Sequence, residues 1–257
     1  MSVRVLAVVQ ARLGSTRLPG KALREIAGRP MLAHVTERVR AIRGVDDVVL
    51  ATTVKAEDDP LADFARAAGL ACVRGSAEDV LDRFKQAVAE HPADAVLRAT
   101  ADCPLLDPGV TGRVLGEYLE RRDRVDYASN VQPPTFPDGL DTEVFSAEAL
   151  ERAWREARRP SEREHVTIYI REHPERFRLF NVAHAEDLSA HRWTVDTEAD
   201  LKFVRDVFAA LAEHGGLFGM TEVLALLDQR PELVWLNAGI RRNEGLELSR
   251  ARERDHG

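Results

Sequence analysis

Apolar positions in the first half of the chain alternate between short β-branched runs and segments with helical spacing. The nearly continuous apolar run from Val3 to Val9 is typical of a strand buried on both faces. Met31, Val35 and Val39 then recur on one face of a helix. The same alternation predicts strands over residues 3–9, 48–52, 71–73 and 95–97 and helices over residues 31–42, 58–68, 78–90 and 108–121.

This β-α-β-α order predicts an α/β fold with a mostly parallel sheet and helices on both faces. Such sheets bind ligands at the carboxyl ends of their strands, near a switch in strand order. We therefore expect the functional site in the loops that follow Val9 and Leu97. Asp107 and Pro108 suit the N-cap and the first position of the last helix in this half.

The second half of the chain has a less regular pattern. A polar segment rich in proline and glycine comes first, over residues 126–139. Beyond it the pattern predicts strands over 140–145 and 177–182, a short extended segment over 192–195, and helices over 147–158, 161–172 and 197–212. Because no linker divides the chain, we predict one domain over residues 1–245 and a flexible charged tail over 246–257.

The composition is that of an ordinary soluble globular protein, with 44% hydrophobic and 31% charged residues. The formal net charge of −7 argues against a protein that coats nucleic acid. The sequence has no apolar run long enough to predict a membrane span. Cys72 and Cys103 fit neither a metal motif nor a disulfide framework, so we expect a reducing cytoplasm.

The loop after the first strand, residues 10–21, concentrates groups that bind phosphate. Its glycines allow tight turns that present backbone N–H groups to an anion, and its arginines and Lys21 add charge-assisted hydrogen bonds. Only four of the 36 basic residues are lysines, so the position of Lys21 is informative. The loop is not a Walker A motif, because five residues separate Gly14 from Gly20 and Ala22 follows the lysine. An ordinary basic βα loop remains an alternative at this point.

Two aspartates follow predicted extended segments and could hold a metal ion. Asp102 follows the fourth strand, and Asp196 follows the segment 192–195. Mg²⁺ prefers one or two carboxylates together with phosphate oxygens and water. The alternative is a structural role as helix caps, which is stronger for Asp196 because a predicted helix begins immediately after it. Asp102 is the weaker cap, since Asp107 already serves the next helix.

Residues 11–21 have the sequence Ala-Arg-Leu-Gly-Ser-Thr-Arg-Leu-Pro-Gly-Lys. Together with several later segments, they resemble the signature of the cytidylyltransferase family, which includes CMP-Kdo synthetases and acylneuraminate cytidylyltransferases. The resemblance is closest to the spore coat polysaccharide biosynthesis protein F branch and covers about residues 3–210. The other segments that carry it lie at residues 28–32, 98–104, 136–145, 162–167 and 192–201.

The resemblance implies a single-domain, Rossmann-like nucleotidyltransferase fold of the GT-A-like type, with a mixed and mostly parallel sheet. It also implies transfer of CMP from CTP to a sugar acid or related small acceptor, with release of pyrophosphate, in polysaccharide or glycoconjugate biosynthesis. Mg²⁺ would be the cofactor, and CTP (or another NTP) and the acceptor would be the partners, with no nucleic acid or membrane. A homodimer is implied as well, with residues 126–145 as its interface or as a lid over the acceptor.

The cytidylyltransferase hypothesis gives each candidate residue an expected role. Arg12, Lys21 and Asp102 are the expected catalytic residues. In the family, carboxylates at the positions of Asp102 and Asp196 bind the metal. The expected nucleotide-binding residues are Ala11, Arg12, Gly14, Ser15, Lys21, Arg98 and Thr100. The expected acceptor-binding residues are Asp138, Asp141, Glu143 and His165. For Arg98, Thr100, Glu143 and His165, a purely structural or solvated position is the alternative.

Two other functions remain possible from the sequence. A glycosyltransferase of the related nucleotide-sugar fold would need two carboxylates close in sequence, of the Asp-x-Asp kind. The chain has only Asp102 after its fourth strand. A non-catalytic nucleotide-binding subunit of such a pathway would keep the loop and lack turnover.

Overall fold

The computed structural model describes residues 3–240, 242 and 244–256, which form one seven-stranded sheet with helices packed on it. The strands are β1 Val5–Gln10, β2 Glu25–Ile26, β3 Arg29–Pro30, β4 Asp47–Thr53, β5 Ala71–Gly75, β6 Ala95–Thr100, β7 Tyr127–Ser129, β8 Glu143–Ser146 and β9 Leu179–Asn181. The helices are α1 Met31–Arg40, α2 Asp59–Ala67, α3 Val80–Glu90, α4 Pro108–Arg121, α5 Ala147–Glu156, α6 Pro160–Glu164, α7 Ile168–Glu172, α8 Glu198–Ala210, α9 Met220–Gln229 and α10 Glu244–His256. No helix among these residues is both long and apolar enough to cross a bilayer.

The sheet has the strand order β5-β4-β1-β6-β8-β7-β9, and β2 and β3 form a separate small ladder. Strands β5, β4, β1 and β6 are parallel to one another, whereas β8 runs antiparallel to both of its neighbours. The predicted mixed, mostly parallel sheet is therefore confirmed. Strand order reverses between β1 and β6, so a crevice opens at their carboxyl ends.

Alternate side chains of β1 enter two hydrophobic cores, one on each face of the sheet. Val5, Ala7 and Val9 belong to the core that includes α1, α2 and α4. Leu6 and Val8 belong to the opposite core, which includes α3 and α5. Burial on both faces explains why β1 reads as a continuous apolar run. The cores hold the end of β1 fixed, and the basic loop begins there.

The structure refines three local predictions in the second half. The helix predicted over residues 161–172 is divided into α6 and α7, because Val166 adopts a φ of 44° and ends the helical path. Strand β7 lies inside the polar segment over residues 126–139, where no strand was predicted. The segment predicted as extended over 192–195 forms only one bridge, between Asp138 and Arg192.

Two helices near the carboxyl end were not predicted. Helix α9 packs Val223, Leu226 and Leu227 into a third core with α8. The sequence predicted a flexible charged tail over residues 246–257, whereas the structure has helix α10 over Glu244–His256. This helix is held mainly by polar contacts, which an apolar pattern does not reveal.

Candidate active site

A cavity of about 300 Å³ lies at the carboxyl ends of β1 and β6, where the strand order reverses. Its wall combines the basic loop, the end of β6 and parts of α3, α6 and α10. The residues that line it are Gln10, Ala11, Arg12, Gly14, Ser15, Thr16, Arg17, Lys21, Ala22, Val80, Arg83, Thr100, Ala101, Asp102, Glu164, His165, Asp196, Gly245 and Ser249.

The backbone of the basic loop is folded into tight turns. The carbonyl oxygen of Leu13 accepts hydrogen bonds from the N–H groups of Ser15 (2.8 Å) and Gly20 (3.0 Å). Gly20 has a φ of 69°, a conformation in which a side chain would be strained. The carboxylate of Asp58 accepts from the Leu13 N–H group at 2.7 Å and ties the loop to the end of β4. These turns bring Lys21 back towards the end of β6.

Lys21 joins the two aspartates that the sequence singled out. Its Nζ atom lies 2.7 Å from Oδ2 of Asp102 and 2.7 Å from Oδ1 of Asp196. It also donates to the Val195 carbonyl oxygen at 3.1 Å. Two carboxylates separated by 94 positions (196 − 102) in the sequence thus meet at one cation.

The charges of this cluster stabilise one another. Burial alone would raise the pKa of Asp102, but the nearby Lys21 ammonium outweighs burial and lowers the pKa to about 2. Burial likewise opposes the charged form of Lys21, yet the two carboxylates raise the pKa of its ammonium well above the usual value. Lys21 and Asp102 are therefore both ionised at neutral pH.

Asp196 is held from several sides. Its Oδ2 atom lies 3.0 Å from a guanidinium nitrogen of Arg17 and 3.0 Å from one of Arg192. The N-cap of α8 is Thr197, whose side chain accepts from the Asp200 N–H group. The alternative role of Asp196 as the cap of that helix is therefore wrong, and Asp196 lines the cavity wall with its carboxylate paired to cations.

A buried ionic network lies behind Asp196. Arg192 donates from Nε to Oδ1 of Asp200 at 2.9 Å and from Nη1 to Oδ2 of Asp138 at 3.0 Å. Asp200 is 0% exposed and accepts as well from Asn237 at 2.9 Å. Arg192 was not predicted as a site residue, although it lies in one of the segments that carry the family resemblance.

Four of the predicted site residues lie outside the cavity wall. Arg98 pairs with Glu143, and Glu143 also accepts from Tyr127 and Thr167, at 2.6 Å each. Both carboxylate oxygens of Glu143 are thus used within the protein, and the structural alternative describes Arg98 and Glu143 better than ligand contact does.

Asp138 and Asp141 are the other two, and both lie near Arg242. Arg242 donates a hydrogen bond to Asp141, while Asp138 bonds to Arg192. Burial raises the pKa of Asp141 to about 7, even though the guanidinium of Arg242 favours the charged form. These carboxyl groups are engaged in ion pairs next to the cluster.

The remaining predicted residues do line the cavity. The Nε2 atom of His165 and the Oγ atom of Ser249 share a hydrogen bond of 3.0 Å, and burial lowers the pKa of the His165 ring. Arg12 donates to Glu164 at 3.1 Å. Thr100 lies at the end of β6, 3.2 Å from Cys103 Sγ. The solvated helical face considered for His165 is therefore wrong.

Several residues of the cavity wall were not predicted from the sequence. Arg17 belongs to the basic loop, but nothing in its position indicated the contact with Asp196. Glu164 and Ser249 come together at 2.8 Å from α6 and α10, and no sequence pattern predicts that meeting. Arg83 lies on an ordinary amphipathic helix, and no motif marks it.

The donor set at this cavity fits a divalent cation shared with substrate. Within the described part of the chain no three metal-ligating side chains converge, so the protein would supply the two carboxylates of Asp102 and Asp196. The Lys21 ammonium already lies between them as a shared cation. Mg²⁺ commonly takes one or two carboxylates and completes its shell with phosphate oxygens and water.

Comparison with known proteins matches residues 6–217 to the cytidylyltransferase family model. A protein of Methanocaldococcus jannaschii of unassigned function is 33% identical over 250 residues, covering 96% of this chain and 99% of that protein. The spore coat polysaccharide biosynthesis protein SpsF of Bacillus subtilis is 32% identical over 235 residues, covering 89% and 95%. The solved structure of a cytidylyltransferase from Leptospira borgpetersenii has a TM-score of 0.84 at 29% identity, covering 91% and 97%.

Proposed function

This chain belongs to the cytidylyltransferase family, and from that premise we propose that its cavity binds CTP and transfers CMP to a sugar acid or a related small acceptor. An oxygen of the acceptor would attack the α-phosphorus, and pyrophosphate would leave from the opposite side. The product would be a nucleotide-activated sugar for polysaccharide or glycoconjugate synthesis. The similarity to a spore coat polysaccharide protein supports that setting.

The observation that carries the proposal is the meeting of Lys21, Asp102 and Asp196 at the cavity wall. A triphosphate needs cations and backbone donors along its length, and the loop from Gln10 to Lys21 supplies both kinds. Arg12 and Lys21 are the proposed ligands of the β- and γ-phosphates. Ala11, Gly14, Ser15 and Thr100 line the same wall and are proposed nucleotide contacts.

Mg²⁺, held by Asp102 and Asp196, would neutralise charge on the α-phosphate and the leaving pyrophosphate when bound. The protein's own contribution is positioning: Lys21 and Arg17 restrain the carboxylates, and Arg192 fixes Asp196 from behind. No side chain is assigned a nucleophilic role, so catalysis rests on orientation and charge neutralisation.

The acceptor is proposed to enter beside His165. Of the four predicted acceptor contacts, His165 lines the cavity, whereas Asp138, Asp141 and Glu143 are bonded within the protein. Those three are proposed to shape the acceptor site by fixing the segment around residues 138–143.

A cytoplasmic location and a homodimer are further parts of the proposal. Both cysteines are free thiols, as expected in a reducing compartment. The segment 126–145 is mostly buried within its own chain, and Gln132 and Pro133 are its exposed members. This segment therefore offers little surface for an interface or a lid, so the proposed homodimer would form through another surface. Light scattering on the purified chain would give its oligomeric state.

A pyrophosphate-release screen tests the function. We expect release with CTP, Mg²⁺ and at least one sugar acid from a panel, and less with ATP, GTP or UTP. Asp102→Ala should abolish release while the circular dichroism spectrum is unchanged. CTP binding without release on any acid would instead favour a non-catalytic subunit, and near-normal release by Asp102→Ala would refute the metal assignment.

A further inference from the structure

Arg83 is a buried cation, and two of its hydrogen-bonding atoms have no partner in the part of the chain that the structure describes. It is 2% exposed, lies on α3 and lines the cavity. Its Nε and Nη1 atoms are buried and have no hydrogen-bond partner among the residues that the structure describes, 3–240, 242 and 244–256. Burial, together with the nearby charge of Arg12, lowers the pKa of Arg83 to about 10.

A buried guanidinium without hydrogen-bond partners lowers the stability of the ligand-free protein. Buried N–H groups are nearly always hydrogen-bonded, and one left without a partner forfeits its hydration. The contrast with Arg38, a second buried arginine, is direct. Arg38 is 1% exposed and donates to the carbonyl oxygens of Leu106 and Phe218 at 3.1 and 2.7 Å. A ligand in the cavity would supply acceptors to Arg83 that the protein does not.

Gly75, the last residue of β5, has no side chain and so leaves space for the side chain of Arg83. A methyl group at Gly75 would approach Cγ of Arg83 to 2.8 Å, closer than packed carbon atoms come. The arginine therefore lies directly against the backbone at the end of that strand, and it lines the cavity.

Arg83 and Lys21 lie among different charged groups. The charges that act on it most strongly are those of Arg12, Asp58 and Asp79, whereas Lys21 is surrounded by Asp102 and Asp196. Val80, one helical turn earlier on the same face of α3, also lines the cavity and is buried. An apolar side chain beside a planar set of N–H donors suits a flat heterocycle better than a phosphate.

We propose that Arg83 is a specificity-determining residue that donates hydrogen bonds to the O2 and N3 acceptors of the cytosine ring of CTP. The inference rests on the proposed function and assigns the base end of the same cavity. Cytosine offers two adjacent acceptors on this edge, which matches the fork of a guanidinium. Uracil carries an N–H at position 3 and would meet the arginine donor to donor.

Calorimetry with CTP, UTP and inorganic tripolyphosphate, in the presence of Mg²⁺, tests the proposal on the full chain. For Arg83→Met we expect CTP binding to weaken about tenfold to a hundredfold, the range of a lost arginine–base contact. The preference for CTP over UTP should fall by a similar factor, and tripolyphosphate binding should be unchanged. Arg83→Lys keeps the charge but loses the planar fork, so it should resemble Arg83→Met.

A melting curve of each variant separates binding from folding. Because methionine removes an unpartnered buried charge, we expect the melting temperature of the ligand-free Arg83→Met variant to equal or exceed that of the wild type. The matched control Arg38→Met should melt lower, since two carbonyl oxygens lose their donor, and should bind CTP normally.

Four results would overturn the proposal. Equal weakening of CTP and tripolyphosphate would make Arg83 a phosphate ligand. Unchanged CTP binding by both Arg83 variants would give it no role in the nucleotide site. Rescue of CTP binding by Arg83→Lys would show that charge alone suffices. A wild-type chain that binds none of the three probes would refute the proposed function itself. That failure is distinct from a failure of the Arg83 proposal, because it appears in the wild-type protein before any variant is compared.

Discussion

Replacement of Arg192 by methionine should destabilise the protein more than any surface change. The guanidinium is 7% exposed and bonds to Asp138, Asp196 and Asp200 at distances of 2.9 to 3.2 Å. Methionine fills similar space but leaves three carboxylates without their shared cation, and Asp200 is fully buried. Removing one partner of a buried ion pair typically costs about 3–5 kcal/mol, so we expect a loss of that size in the free energy of unfolding.

Urea unfolding at pH 7, followed by circular dichroism, measures the loss. Arg66→Met is the matched control, because Arg66 is 79% exposed and pairs with Asp63 on the surface. Its loss should stay within about 1 kcal/mol. The double variant Arg192→Met with Asp200→Asn should recover about 1–3 kcal/mol relative to the sum of the single changes, since one uncompensated charge is removed. A loss below about 1 kcal/mol for Arg192→Met would refute the account of Arg192 as the support of Asp196.

Two further changes test the cluster and the turn beside it. Lys21 lowers the pKa of Asp102 to about 2 from an ordinary value near 3.9. The ionised Asp102 carboxylate therefore contributes stability above about pH 4, and this contribution is lost as the pH falls towards 2. Asp102→Asn should therefore cost about 2 kcal/mol near pH 6 in urea unfolding and progressively less towards pH 3, and a pH-independent difference would contradict this. Gly139 has a φ of 107°, and a methyl group there would lie 2.7 Å from the backbone nitrogen of Thr194. Gly139→Ala should lower the unfolding free energy by at least about 2 kcal/mol, whereas Gly116→Ala in α4, with open space around it, should raise it by about 0.5–1 kcal/mol, and equal effects would be inconsistent with the close approach.

The first half of the fold follows from local pattern. Strand β1 is buried on both faces, so its sequence is continuously apolar, and Asp107 caps α4 as predicted, accepting from the N–H groups of Gly109 and Val110. The second half depends on contacts between distant segments. Val166 adopts a left-handed conformation that no β-branched residue prefers, and only the surrounding packing imposes it.

Part of the candidate site could be predicted from the sequence and part of it could not. The basic loop and the position of Asp102 at the end of a strand pointed to one edge of the sheet, and the structure brings Lys21, Asp102 and Asp196 together there. Their roles remain proposals. Glu143 could not be assigned from sequence, because its partners Arg98 and Thr167 are distant in the chain and meet it only after folding.

The most direct test of the central proposal is the position of a metal ion in a crystal grown with CTP and Mn²⁺, located by anomalous scattering. We expect one manganese peak within coordination distance of both Asp102 and Asp196, with phosphate oxygens of CTP completing the shell and Lys21 displaced from between the carboxylates. A peak that contacts neither aspartate, or a triphosphate bound away from the loop between Gln10 and Lys21, would contradict the account.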